Sequence, residues 1–119
     1  LETVRMSSTR CGMEGGAVLL AALGETCRRL TSLDLSDNTF NEACAPQLGS
    51  VVSCNPGLLS LNLSDLNIEN EGVAAVLSAL STSPGKLPLE ELDMSFSGIV
   101  GHECLTNLVS ACKNVPNLR

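Results

Sequence analysis

Chemistry of its own would have to come from a short list of groups in this 119-residue chain: one histidine, His102, six cysteines and thirteen carboxylates. His102 has no serine or cysteine in a triad-like arrangement around it, and it falls where a fourth helix would start, in solvent. Glu90 and Glu91 are adjacent, so in a strand they point to opposite faces and form no acid–base pair. No C-x-x-C occurs, and one histidine leaves a zinc site with little support. No G-x-x-x-x-G-K-[ST] loop is present to hold a nucleotide. The residues argue for a protein without a metal, a cofactor or a catalytic centre of its own. What remains is a bare arginine, Arg10, inside "SSTRCGMEGG" from Ser7 to Gly16, where a polar turn residue would be ordinary.

The elements that place Arg10 follow from a repeat. Leu1, Leu30, Leu58 and Leu89 open successive units 29, 28 and 31 residues apart: "LETVRMSSTRC", "LTSLDLSDNTF", "LLSLNLSDLNI" and "LEELDMSFSGI". Each fits L-x-x-L-x-L-x-x-N-x-L with conservative swaps at Val4, Met6, Met94 and the closing Cys11 and Ile99. This template and period define the leucine-rich repeat. The predicted fold is α/β: a solenoid of the ribonuclease-inhibitor type, about four repeats long, its curved parallel sheet inside and its helices outside. The repeats run over residues 1–29, 30–57, 58–88 and 89–117, and the terminal Leu118 stands where a fifth would open. Neither end shows a polar cap, so the chain reads as an uncapped part of a longer stack with an apolar face at each end.

Within each unit a two-residue alternation predicts strand cores at Val4–Met6, Leu33–Leu35, Leu61–Leu63 and Leu92–Met94. Helical spacing follows at Leu20, Leu23 and Cys27, at Cys44, Leu48 and Val51, at Val73, Val76, Leu77 and Leu80, and at Leu105, Leu108, Val109 and Cys112. The segments "NPG", "SPGKLP" and "NVPN" end the helices, as Pro and Gly do. Between strand and helix the template asks for an asparagine whose amide bonds the turn. Asn38 supplies it, while Thr9, Leu66 and Ser97 hold the equivalent places. Leucine cannot bond a turn, so the loop at Leu66 must be held in another way.

The cysteines sit at core or helix positions, which predicts six free, reduced thiols. No apolar run approaches the roughly 18 residues of a membrane span, and no signal peptide is read at the start. The net charge of −6 is expected to gather on the sheet face, where Glu2, Asp34, Glu90, Glu91 and Asp93 outnumber Arg5. Such a face argues against nucleic acid and for a basic protein partner.

"SSTRCGMEGGAVLLAAL", then "LDLSDNTF", then "LNLSDLNIENEG" resemble, in order and spacing over nearly the whole chain, the repeat domain of Ran GTPase-activating proteins of the plant and protist type. The resemblance implies a crescent whose rim docks on GTP-bound Ran and stimulates hydrolysis in support of nucleocytoplasmic transport. The catalytic machinery stays in Ran, so the protein itself is not an enzyme. The family's key rim arginine falls on Arg10, and Asp37, Asn38 and Asp65 match its partner-facing edge. A cytoplasmic place, at the cytoplasmic face of the nuclear envelope, is implied too. In one respect the chain departs from yeast-type members, which carry an asparagine in the third turn where Asp65 and Leu66 stand here. The competing expectation is a non-catalytic interaction scaffold of the actin-capping-regulator or immune-sensor type, which has no reason to carry "STR" on its rim.

Overall fold

The structure, a computed structural model, describes residues 2–10, 12–98 and 113–118. Four short strands, β1 (Thr3–Arg5), β2 (Ser32–Asp34), β3 (Ser60–Asn62) and β4 (Glu91–Asp93), lie side by side in chain order. All three pairings are parallel. Helices α1 (Gly12–Thr26), α2 (Ala45–Cys54) and α3 (Glu69–Ser81) carry the chain from one strand to the next, α2 being preceded by a 3-10 turn at Glu42–Cys44. An all-parallel, sequentially ordered sheet with a helix in each connection is the arrangement that a strand–helix repeat requires.

The register is the one the leucines predict. Val4, Leu33, Leu61 and Leu92 stand abreast as the middle residues of their strands. Each strand nevertheless begins and ends one residue earlier than the alternation suggests. The residue after each of the first three strands still reaches across: the N–H groups of Met6, Leu35 and Leu63 donate to the carbonyls of Asp34, Asn62 and Asp93 at 2.8, 3.0 and 2.7 Å. In three of the four repeats, though, the last strand residue has already folded its side chain into a turn. Asp34, Asn62 and Asp93 each accept both the N–H and the hydroxyl of the serine two residues on. Such Asx turns compete with ladder geometry and bend the chain off the sheet.

The core lies between sheet and helices. Leu30, Leu33, Leu35, Leu58, Leu61, Leu63 and Leu89 are buried from the strand side. Leu20, Leu23 and Cys27, then Cys44, Leu48 and Val51, then Val73, Val76, Leu77 and Leu80 meet them from the helices, as their spacing predicts. The predicted stripe Leu105, Leu108, Val109 and Cys112 lies outside the described residues. Removing such a leucine from water contributes on the order of 1.5–3 kcal/mol, which is why a run of three-residue strands suffices to hold a layer together.

Two glycines set how closely the layers approach. A Cβ on Gly16 would lie 2.5 Å from Cδ1 of Phe40, a ring with no exposed surface, and one on Gly72 would collide with the Cβ of Ile68. Phe40 and Ile68 close their turns into the space that these helices leave open. At the opposite edge, Asn55 ends α2 and is buried. Its Oδ1 accepts from Leu30 N–H at 3.0 Å and its Nδ2 donates to Val51 C=O at 2.8 Å, tying the start of one repeat to the end of its helix. No helix among the described residues is long and apolar enough to cross a membrane.

Candidate functional site

The segments leaving the four strands form one edge of the sheet, and they share a backbone conformation. Ser8, Asp37, Asp65 and Phe96 occupy the same place in successive repeats, with φ of 56°, 55°, 54° and 55°. Two residues further on come Arg10, Thr39, Asn67 and Gly98, of which all but Thr39 are left-handed, at 56°, 55° and 77°. A third set, Gly12, Asn41 and Glu69, has φ of 70°, 57° and 55°. A left-handed L-residue is disfavoured by about 1–2 kcal/mol, less for Asn and Asp. The conformation persists because the residues between are held: Asn38, Leu66 and Ser97 point inward and are buried, and so are Phe40 and Ile68. The outward positions thus form two exposed rows running across the repeats.

Asn38 is the pivot of this edge. It is 5% exposed, and its Nδ2 donates to the carbonyls of Leu35 and Met6 at 2.9 Å and of Ser36 at 3.2 Å. Its Oδ1 accepts the N–H and hydroxyl of Thr9 at 3.1 and 3.0 Å. The amide of the second repeat therefore holds the turn of the first, directly beside Arg10. Arg10 is exposed and makes no hydrogen bond or ion pair with any other described residue.

The loop at Leu66 is held in the other way that the sequence calls for. Leu66 has no exposed surface, and its carbonyl accepts the N–H groups of Phe40 and Asn41 at 3.2 and 3.3 Å. Asp65 N–H donates to Ser95 C=O at 2.9 Å, and Asn62 secures the turn's start through Ser64. Core contact replaces the side-chain amide. The Asp65 backbone bond and the Asn62 turn have counterparts in the second repeat, where Asp37 N–H donates to Ser64 C=O and Ser36 to Asp34. Ser97 is intermediate in kind, its buried hydroxyl donating to Met94 C=O.

Of the four rim residues singled out in the sequence, Arg10, Asp37 and Asp65 are exposed, while Asn38 lies beneath them. They are not one line: Asp37 and Asp65 belong to the first row, and Arg10 to the second. Asp37 accepts the hydroxyl of Ser8 across the repeat boundary. Two features were missed. Phe96 continues the row of Asp37 and Asp65, which shows once the fourth unit is laid under the third. Asn55 is marked only by standing before Pro and Gly at a helix end.

The sheet face is a shallow depression of about 470 Å³ lined by Thr3, Arg5, Ser32, Asp34, Ser60, Asn62, Glu91 and Asp93, with Leu61 and Leu92 beneath. It is less acidic than expected, because Glu2 and Glu90 precede their strands and stay off it. Arg5 sits 3.7 Å from Asp34 and offsets it, so the negative end of the face is at β4. The backbone N–H and then the hydroxyl of Ser95 hold the Asp93 carboxyl below its ordinary value.

Cys27, Cys44 and Cys54 are free thiols; Cys11, Cys104 and Cys112 lie outside the described residues. Burial pushes the Cys44 thiol up, and it donates to Phe40 C=O at 3.1 Å. No group of three or more His, Cys, Asp or Glu suited to a metal ion occurs among the described residues. His102 lies outside them.

No curated protein and no solved structure matches the chain. The sequence profile of the family described as Leucine Rich repeat matches residues 26–41 and 54–77, the stretches that enter and form the second and third strands and their turns. Profile and strand register together support a leucine-rich repeat protein.

Proposed function

We propose that the chain is part of a curved leucine-rich solenoid that activates GTP hydrolysis by Ran, binding Ran-GTP through its rim. Leucine-rich repeats suggest a role in protein interaction. The finer reading rests on one observation: Arg10 stands exposed on the strand-to-helix edge, in a left-handed turn, without a partner among the described residues. Nothing in folding calls for an arginine there. The motif around it resembles the family's partner-facing turn, and Asp37 and Asp65 share the edge. Asn38 enters as a positioning residue, since it grips Thr9 and so fixes the backbone from which Arg10 projects.

In this reading Arg10 is an interface anchor. Its short turn gives it little reach into a nucleotide pocket buried in the partner, and Ran's own glutamine carries the chemistry. Arg10→Ala should leave folding stability within about 0.5 kcal/mol, as at an ordinary surface site. It should weaken the complex by about 2–4 kcal/mol, a loss that a higher activator concentration partly restores. An arginine acting in the transition state would instead lower kcat by about 10³–10⁵ at saturation. Initial rates of GTP hydrolysis by Ran, titrated with wild-type and variant protein, separate the two. Equal rates at every concentration would remove the Ran reading and leave a non-catalytic interaction scaffold.

A further inference from the structure

We propose that Asp65 and Phe96 together receive an arginine side chain from a protein partner. The inference rests on the rim being a protein-contact edge, and not on the partner being Ran. Phe96 is 83% exposed, whereas the chain's other phenylalanine, Phe40, has no exposed surface. A lone exposed apolar residue is ordinary, but this one is a bulky residue held at φ 55°, a conformation such residues rarely adopt. It contributes nothing to the core, and glycine or asparagine would meet the backbone better.

Its neighbour supplies the second half of the site. Asp65 lies one repeat back in the same row, its N–H bonded to the carbonyl of Ser95, the residue before Phe96. Adjacent strands place such positions about 4.8 Å apart. Both residues are exposed and share one backbone conformation. The next carboxylate along, Asp37, already accepts the Ser8 hydroxyl. That of Asp65 has no hydrogen bond or ion pair with a described residue. An open carboxylate beside an open ring fits a guanidinium, which stacks its plane on the ring and presents two N–H groups to the carboxylate. A lysine ammonium is a point charge and satisfies one of the two at a time. Phosphate is repelled, so the occupant belongs to a protein and not to a nucleic acid.

The composition makes the test direct. With two phenylalanines and no tryptophan or tyrosine, ring-labelled Phe gives two NMR signals, and buried Phe40 serves as the internal reference. The probes are capped Gly-Arg-Gly, Gly-Lys-Gly and Gly-citrulline-Gly peptides. The arginine peptide is expected to move the Phe96 signal saturably and leave Phe40 in place, with the lysine peptide at least about threefold weaker. Asp65→Asn should weaken the arginine peptide by a similar factor. A static Phe96 signal, an equal response to citrulline, or an unchanged affinity in Asp65→Asn would overturn the proposal. Phe96→Gly should melt at the wild-type temperature or above it, and a lower melting temperature would assign the ring to packing and overturn it as well. Failure here is separable from failure of the Ran reading, since that is scored by GTP hydrolysis and this by a ring signal.

Discussion

The turns of the second and third repeats do the same geometric work with opposite chemistry. At Asn38 a buried amide bonds three carbonyls and one neighbouring residue, and two repeats are tied through a single side chain. At Leu66 the side chain joins the core, and the tie passes to backbone groups, Phe40 and Asn41 donating to the Leu66 carbonyl. The left-handed entry is the same in both, at Asp37 and Asp65. Turn shape is therefore set by the stacking of repeats, and the inward residue needs only to satisfy its surroundings, by hydrogen bonds or by packing.

The sharpest way to break this contrast is Asn38→Leu, which makes the second turn look like the third. It removes every side-chain bond that Asn38 makes to the carbonyls of Met6, Leu35 and Ser36 and to Thr9, and should lower stability by about 3–5 kcal/mol by chemical denaturation. A loss below about 1 kcal/mol would mean that the second turn already has the backbone support of the third. The reverse exchange sharpens the point. Leu66→Ala should lose about 2–4 kcal/mol to a cavity. Leu66→Asn, although polar, should lose only about 1–2 kcal/mol, because the carbonyls of Leu63 and Ser64 stand at the offsets that Asn38 uses. If asparagine is worse than alanine there, the third turn cannot accept the amide.

The smallest effect separates the turns by charge. Asn62 opens the third turn without a titratable group, whereas Asp93 opens the fourth and is held below its ordinary value by Ser95. A depressed carboxylate contributes stability that is present above its unfolded value, near 3.8, and is lost as pH falls through the folded one. Asp93→Asn should remove that component above about pH 4, lowering neutral-pH stability slightly, and the two proteins should converge as the carboxyl of the wild type is protonated in acid. Acid titrations of both proteins by circular dichroism check it, and superimposable curves would show that the Asp93 turn is not linked to folding. Solvent screening at this exposed site keeps the difference small.

Much of this was legible. The leucine spacing sets which residues stand abreast, because only one register puts Val4, Leu33, Leu61 and Leu92 inside together. Asn38 announced its own role, and Leu66 announced that something else had to act. The charges on the sheet were harder. Glu2 and Glu90 each stand one residue before a strand of only three residues, and no side-chain pattern marks where so short a strand begins. Phe96 was hidden for a different reason. Propensity speaks against a phenylalanine at positive φ, and only the constraint imposed by the neighbouring repeats overrides it.

The units differ in length, yet the edge does not register the difference. From each strand's middle residue the first left-handed position follows after four residues in all four repeats, at Ser8, Asp37, Asp65 and Phe96. The extra residues of the longest unit fall after α3, in the "SPGKLP" segment at the far side of the molecule. Insertions and deletions can therefore accumulate at one margin while the other keeps a constant pitch, like the teeth of a rack. A partner engaging that margin meets side chains at equal steps, and its identity can be rewritten by exchanging the exposed residues two per repeat, without disturbing a single leucine beneath them.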